Sequence, residues 1–228
     1  MNIVVGVLSI LSAFCIAGSM IGLMFSFGYP KIIRENPIII LKRMQNKKTM
    51  ISLLFYLFGI GGFMVVQASI ALRFIEQSKG EFIWSNFAYI NGIIYGVLLF
   101  VGILRYTKTF PMLSNQMINK QITEKEAGQL YKVLNTYIGE TMTEHVAFVF
   151  LSFMIFCNSM SLLSINYVAN WIGLLGIIIA IGLFIGNLEF LGIKKLFIVN
   201  RVFFIIKCFL AIVIRNMYYI KIMLLKNI

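Results

Sequence analysis

Long apolar stretches separated by short polar segments form the main pattern of this chain. No charged side chain precedes Lys31. About twenty consecutive apolar residues are needed to cross the hydrocarbon core of a bilayer. Backbone polar groups find no water in lipid, and no stretch alternates as a barrel strand does, so each stretch is predicted to be a spanning helix. The spans are predicted at 3–29, 50–72, 86–104, 145–166 and 171–193.

A sixth apolar segment, 198–220, can be interpreted in two ways because basic residues interrupt it. At 100° per residue these residues fall within roughly 160° of one helical face: Arg201, Lys207, Arg215, Lys221 and Lys226. The segment is either a sixth span whose polar face turns into the bundle or a basic amphipathic helix on the cytoplasmic surface. The predicted fold class is therefore all-α, a multipass transmembrane helical bundle of about six spans. The alternative is five spans plus a basic amphipathic C-terminal helix.

Composition and charge agree with this fold class and add an orientation. The chain is 60% hydrophobic and 12% charged, with a net charge of +12. The segments 31–49, 105–144 and 194–201 carry six, five and three Lys or Arg, whereas the opposite loops carry only Arg73 and Lys79. Positive loops stay in the cytoplasm, so we expect a multipass protein of the inner membrane with its N-terminus outside. The basic loops are expected to contact anionic lipid headgroups rather than nucleic acid.

The chain is predicted to form a single integral membrane domain, 1–228, retaining its first span. No basic residue begins that span, and its apolar run is about twice as long as that of a cleavable signal. An amphipathic cytoplasmic helix is predicted near 123–138. Thr123 and Glu126 have the spacing of a capping box, and apolar residues then recur at helical spacing: Ala127, Leu130, Tyr131, Leu134, Tyr137 and Ile138.

Three pairs of glycines have the G-x-x-x-G spacing that lets helices approach closely: Gly18 and Gly22, Gly92 and Gly96, and Gly182 and Gly186. Packing within one chain is the favoured interpretation, and an oligomer formed through these small-residue faces is the alternative.

The residue inventory argues against several kinds of chemistry. All eight acidic residues are Glu, which disfavours aspartyl proteolysis, aspartate-rich magnesium sites and aspartyl-phosphate chemistry. The chain has one histidine and no C-x-x-C or G-x-S-x-G pattern, so nothing in the spacing indicates a metal site or a hydrolytic triad. Neither a cofactor, a metal nor a catalytic residue is predicted.

Polar residues near the cytoplasmic end of the fourth span form the best candidate site. Glu140 and Glu144 lie four residues apart, on one face of a continuous helix, and His145 follows at about 100°. This group could titrate or bind a cation, because a neighbouring carboxylate raises the pKa of an imidazole. The alternative is structural: Thr141 and Glu144 also have capping-box spacing, which would make Glu144 part of a helix start.

Glu189 lies within an apolar stretch, and such acids usually face the bundle interior and have a partner. We expect one polar pocket near the cytoplasmic face, lined by Glu144, His145, Glu189 and Arg201, with Glu140 close by. The alternative is an interfacial Glu189 that pairs with Lys194, Lys195 or Arg201 for structure alone.

Several short motifs resemble an uncharacterised group of bacterial multipass membrane proteins, the domain of unknown function 4386 type. They are scattered over most of the chain: Leu104-Arg105-Tyr106 followed by Pro111, Tyr137-Ile138-Gly139, Glu144-His145, Trp171-Ile172-Gly173-Leu174 with Gly176, Glu189-Phe190-Leu191-Gly192, and Asn200. Thr143 and Tyr106 depart from the pattern, which favours Gly and Trp there. The resemblance implies about six helices and a bacterial membrane, and it carries no established activity.

The sequence is compatible with two functions. The first is a non-catalytic membrane protein that binds a lipid, a small hydrophobic molecule or another membrane protein, in a role such as stress response or self-immunity. The second is a small transporter or intramembrane enzyme that couples to protons or cations through Glu144, His145 and Glu189.

Overall fold

The structure is a computed structural model that describes residues 2–166, 169–191, 193, 196 and 202. These residues form helices and no strands. The α-helices are α1 (Asn2–Ser26), α2 (Pro37–Asn46), α3 (Lys48–Gln77), α4 (Ile83–Ile103), α5 (Thr109–Ile118), α6 (Glu124–Leu134), α7 (Ala147–Ser164) and α8 (Asn170–Asn187). Short 3₁₀ turns cover Ile32–Arg34, Leu104–Tyr106 and Leu188–Leu191, and a π-helical segment covers Asn135–Val146.

Five helical runs among the described residues are long and apolar enough to cross a membrane. They are Gly6–Ser26, Lys48–Gln77, Ile83–Ile118, Glu124–Ser164 and Asn170–Asn187. The predicted all-α membrane bundle is thereby confirmed, and the chain is a multipass membrane protein. The sixth predicted segment, 198–220, lies outside the described residues except for Val202.

Side-chain caps explain where the polar helices begin. Asn36 accepts a hydrogen bond from the backbone amide of Ile38 at 2.9 Å, and Pro37 occupies the first helical position of α2. The predicted capping box is confirmed, since Thr123 Oγ1 accepts from the amide of Glu126 and Glu126 Oε2 accepts from the amide of Thr123. The predicted helix near 123–138 does not end there, because α6 continues through the π-helical segment into α7.

The described helices divide into two compact units, each built from separated parts of the chain. The first unit comprises Met1–Ser9, Val66–Tyr95 and Phe148–Ile228, and the second comprises Ile10–Val65 and Gly96–Ala147. Each unit therefore combines several helices rather than one contiguous segment.

Small residues allow close helix packing in the first unit. A Cβ added at Gly92 in α4 would collide with Ser69 of α3, and one at Gly176 in α8 would collide with the Ser159 hydroxyl of α7. Gly96, Gly182 and Gly186 are also buried. Two of the three predicted glycine pairs thus lie in buried positions.

Aromatic stacking holds the core of the second unit. Phe55 of α3 stacks on Tyr106 with ring centroids 4.1 Å apart, and Phe110 of α5 contacts Tyr131 of α6 at 4.3 Å. The hydroxyl of Ser12 in α1 donates to the carbonyl of Gly61 in α3 at 2.7 Å. These contacts join α1 to α3, and they bring α3, α5 and α6 together around buried Tyr106.

Candidate functional site

The segment Asn135–Val146 has an unusual backbone geometry. It is π-helical over twelve residues, whereas most π-helices in proteins are single turns that often occur at functional sites. Its threonine hydroxyls bond five residues back: Thr141 Oγ1 donates to the Thr136 carbonyl at 3.0 Å, and Thr143 Oγ1 to that of Ile138 at 2.6 Å. The helical run continues through Thr141, so the alternative in which Thr141 and Glu144 begin a helix is wrong.

The π-helical segment packs against Arg105, a buried cation in the turn after α4. Arg105 is only 5% exposed. One guanidinium nitrogen donates to the carbonyl of Gly102, and Nη2 donates to Asn135 Oδ1 at 3.4 Å. The guanidinium also lies 4.6 Å from the centre of the Tyr106 ring, a cation–π distance. The Gly102 carbonyl, the Asn135 side chain and the Tyr106 ring thus hold the buried guanidinium.

A polar network extends from Arg105 through the amide of Asn135. Asn135 Oδ1 accepts from the Tyr106 hydroxyl at 3.3 Å, and the Tyr106 and Tyr131 hydroxyl oxygens are 3.4 Å apart. Asn135 Nδ2 donates to Glu140 Oε1 at 3.3 Å. Because buried polar groups are costly unless hydrogen-bonded, this network fixes the positions of the helices that carry it. We call these five residues the Arg105 centre.

Two glycines make room for the Arg105 centre. A Cβ at Gly139 would lie 2.5 Å from Arg105 Nη2, and a Cβ at Gly102 would collide with the Thr143 hydroxyl. Glycine at these positions lets α4 and the π-helical segment approach closely. The motif Tyr137-Ile138-Gly139 contains one of these contacts, but its sequence alone did not indicate that Gly139 faces an arginine.

The structure places the predicted pocket residues as follows. Glu140 is exposed and belongs to the Arg105 centre, while Glu144 and His145 are half-buried in the π-helical segment. Glu144 lies near enough to Tyr106 to interact with it electrostatically. Glu189 is half-buried in the Leu188–Leu191 turn of the first unit, and Arg201 lies outside the described residues. The shared pocket and its coupling role therefore stay predictions.

A concave site lies elsewhere in the second unit, where α5 ends and α6 begins. This α5–α6 groove has a volume of about 560 Å³. The ion pair between Lys42 Nζ and Glu124 Oε1, 2.6 Å apart, joins α2 to the start of α6. The groove is lined by Lys42, Met117, Ile118, Lys120, Gln121, Ile122, Thr123, Glu124 and Glu126. The described residues include no group of three or more His, Cys, Asp or Glu side chains able to hold a metal ion.

Lys120 is the unusual residue of this groove, and no pattern in the sequence singles it out. Its φ is 57°, in the left-handed region that favours glycine. The amide of Lys120 donates to the Met117 carbonyl at 3.2 Å and that of Gln121 to the Gln116 carbonyl at 2.9 Å, which is the Schellman pattern at a helix end. A non-glycine residue in this conformation costs about 1–2 kcal/mol. The exposed lysine side chain is thus kept at an energetic cost.

Comparison with known proteins identifies the family. Residues 3–215 match the family described as "Domain of unknown function (DUF4386)", and the chain belongs to that family. No curated protein and no solved structure matches the chain. The family assignment agrees with the resemblance seen in the short motifs.

The close contact at Gly102 generates a test of the Arg105 centre. Gly102→Ala should lower stability by about 1–3 kcal/mol, because the added methyl group must push away the Thr143 hydroxyl, which bonds the π-helical backbone. Gly18→Ala in α1 is the matched control, since a Cβ there meets nothing within 4 Å. Thermal unfolding in detergent should show a lower midpoint for the first variant only. Equal midpoints for Gly102→Ala and the unchanged protein would show that this contact is not close.

Proposed function

We propose that this chain is a non-catalytic multipass membrane protein that binds an anionic membrane amphiphile in the α5–α6 groove. The observation that carries the proposal is Lys120, a charged residue in a backbone conformation where glycine would be more stable. Strained residues cluster at binding and active sites, so an observed outlier motivates a functional hypothesis. A lysine at such a position is explained if its ammonium group binds a ligand.

The lining of the groove determines which ligand fits. The Lys42 ammonium is already paired with Glu124, and the Glu126 carboxylate accepts hydrogen bonds from Thr123. Among the described lining residues, Lys120 is therefore the cation without a carboxylate partner. Beside it, Met117, Ile118 and Ile122 supply apolar surface. An unpaired cation next to apolar side chains suits a molecule with an anionic head and an apolar tail.

The size of the groove and the charge of the chain support the same ligand class. Ligand sites in proteins usually have volumes of about 300–1,000 Å³, and this groove falls in that range. We propose that the groove faces the cytoplasm, because it lies in the basic segment 105–144, and that the membrane is the cell inner membrane with the N-terminus outside. Anionic lipids of the cytoplasmic leaflet attract basic segments by about 1 kcal/mol per Lys or Arg.

Lys120→Gly should change stability and ligand binding in opposite directions. Glycine removes the left-handed strain, so we expect a gain of about 1 kcal/mol in the absence of added lipid. The same change removes the ammonium group, so a short-chain phosphatidylglycerol should no longer raise the unfolding temperature. Ligands stabilise the folded state they bind, which makes thermal unfolding during a lipid titration the suitable measurement.

Lys108→Gln is the matched control for this experiment. Lys108 is also an exposed lysine of the second unit, but it does not line the groove. This variant should keep the full response to phosphatidylglycerol, and short-chain phosphatidylcholine should have little effect on either protein. An undiminished phosphatidylglycerol response in Lys120→Gly would contradict the proposed binding site.

The proposed orientation predicts which loops a membrane-impermeant thiol reagent can reach. With the three native cysteines replaced by alanine, a cysteine at Ser78 should be labelled in intact cells. One at Lys120 should be labelled only after the membrane is permeabilised, since the positive-inside rule places that loop in the cytoplasm. Both positions are exposed, so burial does not limit the reaction. Labelling of Lys120→Cys in intact cells would reverse the orientation.

A further inference from the structure

The first unit contains a buried acid, Glu76, which does not line the α5–α6 groove. Glu76 lies in the last turn of α3 and is only 1% exposed. Both of its carboxylate oxygens are buried, and neither completes a hydrogen bond of normal geometry within the described residues. An ionised carboxylate in such a place is far more costly than a neutral acid, because burial penalises the charged form.

Ser161 of α7 faces this carboxylate. The side chain of Ser161 is 0% exposed, its hydroxyl also lacks a hydrogen-bond partner of normal geometry, and it lies near enough to the Glu76 carboxylate to interact with it. The two unsatisfied polar groups are thus buried side by side, one on each of two packed helices.

The charged and titratable neighbours of Glu76 are otherwise engaged or uncharged. Arg73, one turn earlier on α3, places its guanidinium 4.6 Å from the centre of the Tyr89 ring instead of pairing with Glu76. Glu81, in the connection after α3, accepts hydrogen bonds from the Trp84 amide and the Ser164 hydroxyl, both at 2.8 Å. On α7, the Cys157 thiol lies near the carboxylate. Among the residues that the structure describes, no cation therefore directly balances a negative charge on Glu76.

Counting donors shows which state of the acid fits. An ionised carboxylate is an acceptor only, with several lone pairs to satisfy, and the described groups that face it supply one hydroxyl and the weakly donating thiol of Cys157. A protonated acid adds an O–H donor of its own, which the oxygen of Ser161 can accept. Either form of the acid can hydrogen-bond to Ser161, but only the protonated form does so without a buried charge.

We infer that Glu76 and Ser161 form a buried proton-binding site at the C-terminal end of α3. The carboxyl group takes up one proton from water and holds it as an O–H bond directed at the serine hydroxyl, and it returns the proton when the pH rises. The site belongs to the first unit and does not depend on ligand binding in the α5–α6 groove.

Infrared difference spectroscopy of the full chain in lipid nanodiscs tests this inference. A buried protonated carboxyl group gives a carbonyl stretching band separate from that of a carboxylate. The unchanged protein at neutral pH should show this band, Glu76→Gln should lose it, and Glu35→Gln, which changes an exposed acid, should keep it. Absence of the band in the unchanged protein, or its persistence in Glu76→Gln, would overturn the inference.

Two further measurements test the site, and the first does so even if Glu76→Gln does not fold. Ser161→Ala should retain the band but shift it to higher frequency, because the acid loses its hydrogen-bond acceptor. An unshifted band would show that Ser161 is not part of the site.

Raising the pH should lower the unfolding temperature of the unchanged protein more than that of Glu76→Gln, which carries no ionisable group at this position. Sodium ions should not restore the stability of the unchanged protein at high pH. If they do so, and have no such effect on Glu76→Gln, the site binds a metal cation and the inference is contradicted.

Discussion

The absence of water from the hydrocarbon core of a membrane is the constraint on which this structure depends. A backbone that cannot bond to water must bond to itself, so each long apolar stretch closes as a helix. The same constraint applies to side chains, because a polar group among these helices needs a partner within the protein. The Arg105 centre meets that need with one carbonyl, one amide and two tyrosine hydroxyls. The position of each buried polar group therefore shows where helices must stay together.

The spans were predictable because hydropathy and length follow directly from this constraint. The predicted span 145–166 corresponds to α7 (Ala147–Ser164), and 86–104 to α4 (Ile83–Ile103), within a few residues. The prediction for α3 ended at 72, whereas the helix continues to Gln77 and buries Glu76. An acid beside Arg73 and Lys79 has the composition of a loop, and only the packing of α7 against it shows otherwise. The capping box at Thr123 was predictable because both of its partners lie within four residues.

The candidate site was less predictable because its parts meet through tertiary contacts. Glu140 was identified as a polar residue of interest, but its link to Arg105 passes through Asn135, whose side chain carries no pattern in the sequence. The π-helical geometry was also not expected, since the composition of Asn135–Val146 resembles that of an ordinary helix. Lys120 gave no signal because its left-handed conformation is set by the way α5 ends. Local rules thus predict the helices, while the site depends on which helix faces meet.

The described apolar helices are expected to lie in lipid, and the accessibility of spin labels attached to them measures whether they do. Nitroxides would be attached at Phe14, Phe63 and Ile178, which are exposed apolar positions in the middle of α1, α3 and α8, and at Lys120 as a surface reference. In lipid vesicles the three apolar positions should be more accessible to oxygen than to a water-soluble nickel complex, with the reverse at Lys120. Nickel accessibility at the apolar positions equal to that at Lys120 would contradict the membrane-spanning arrangement.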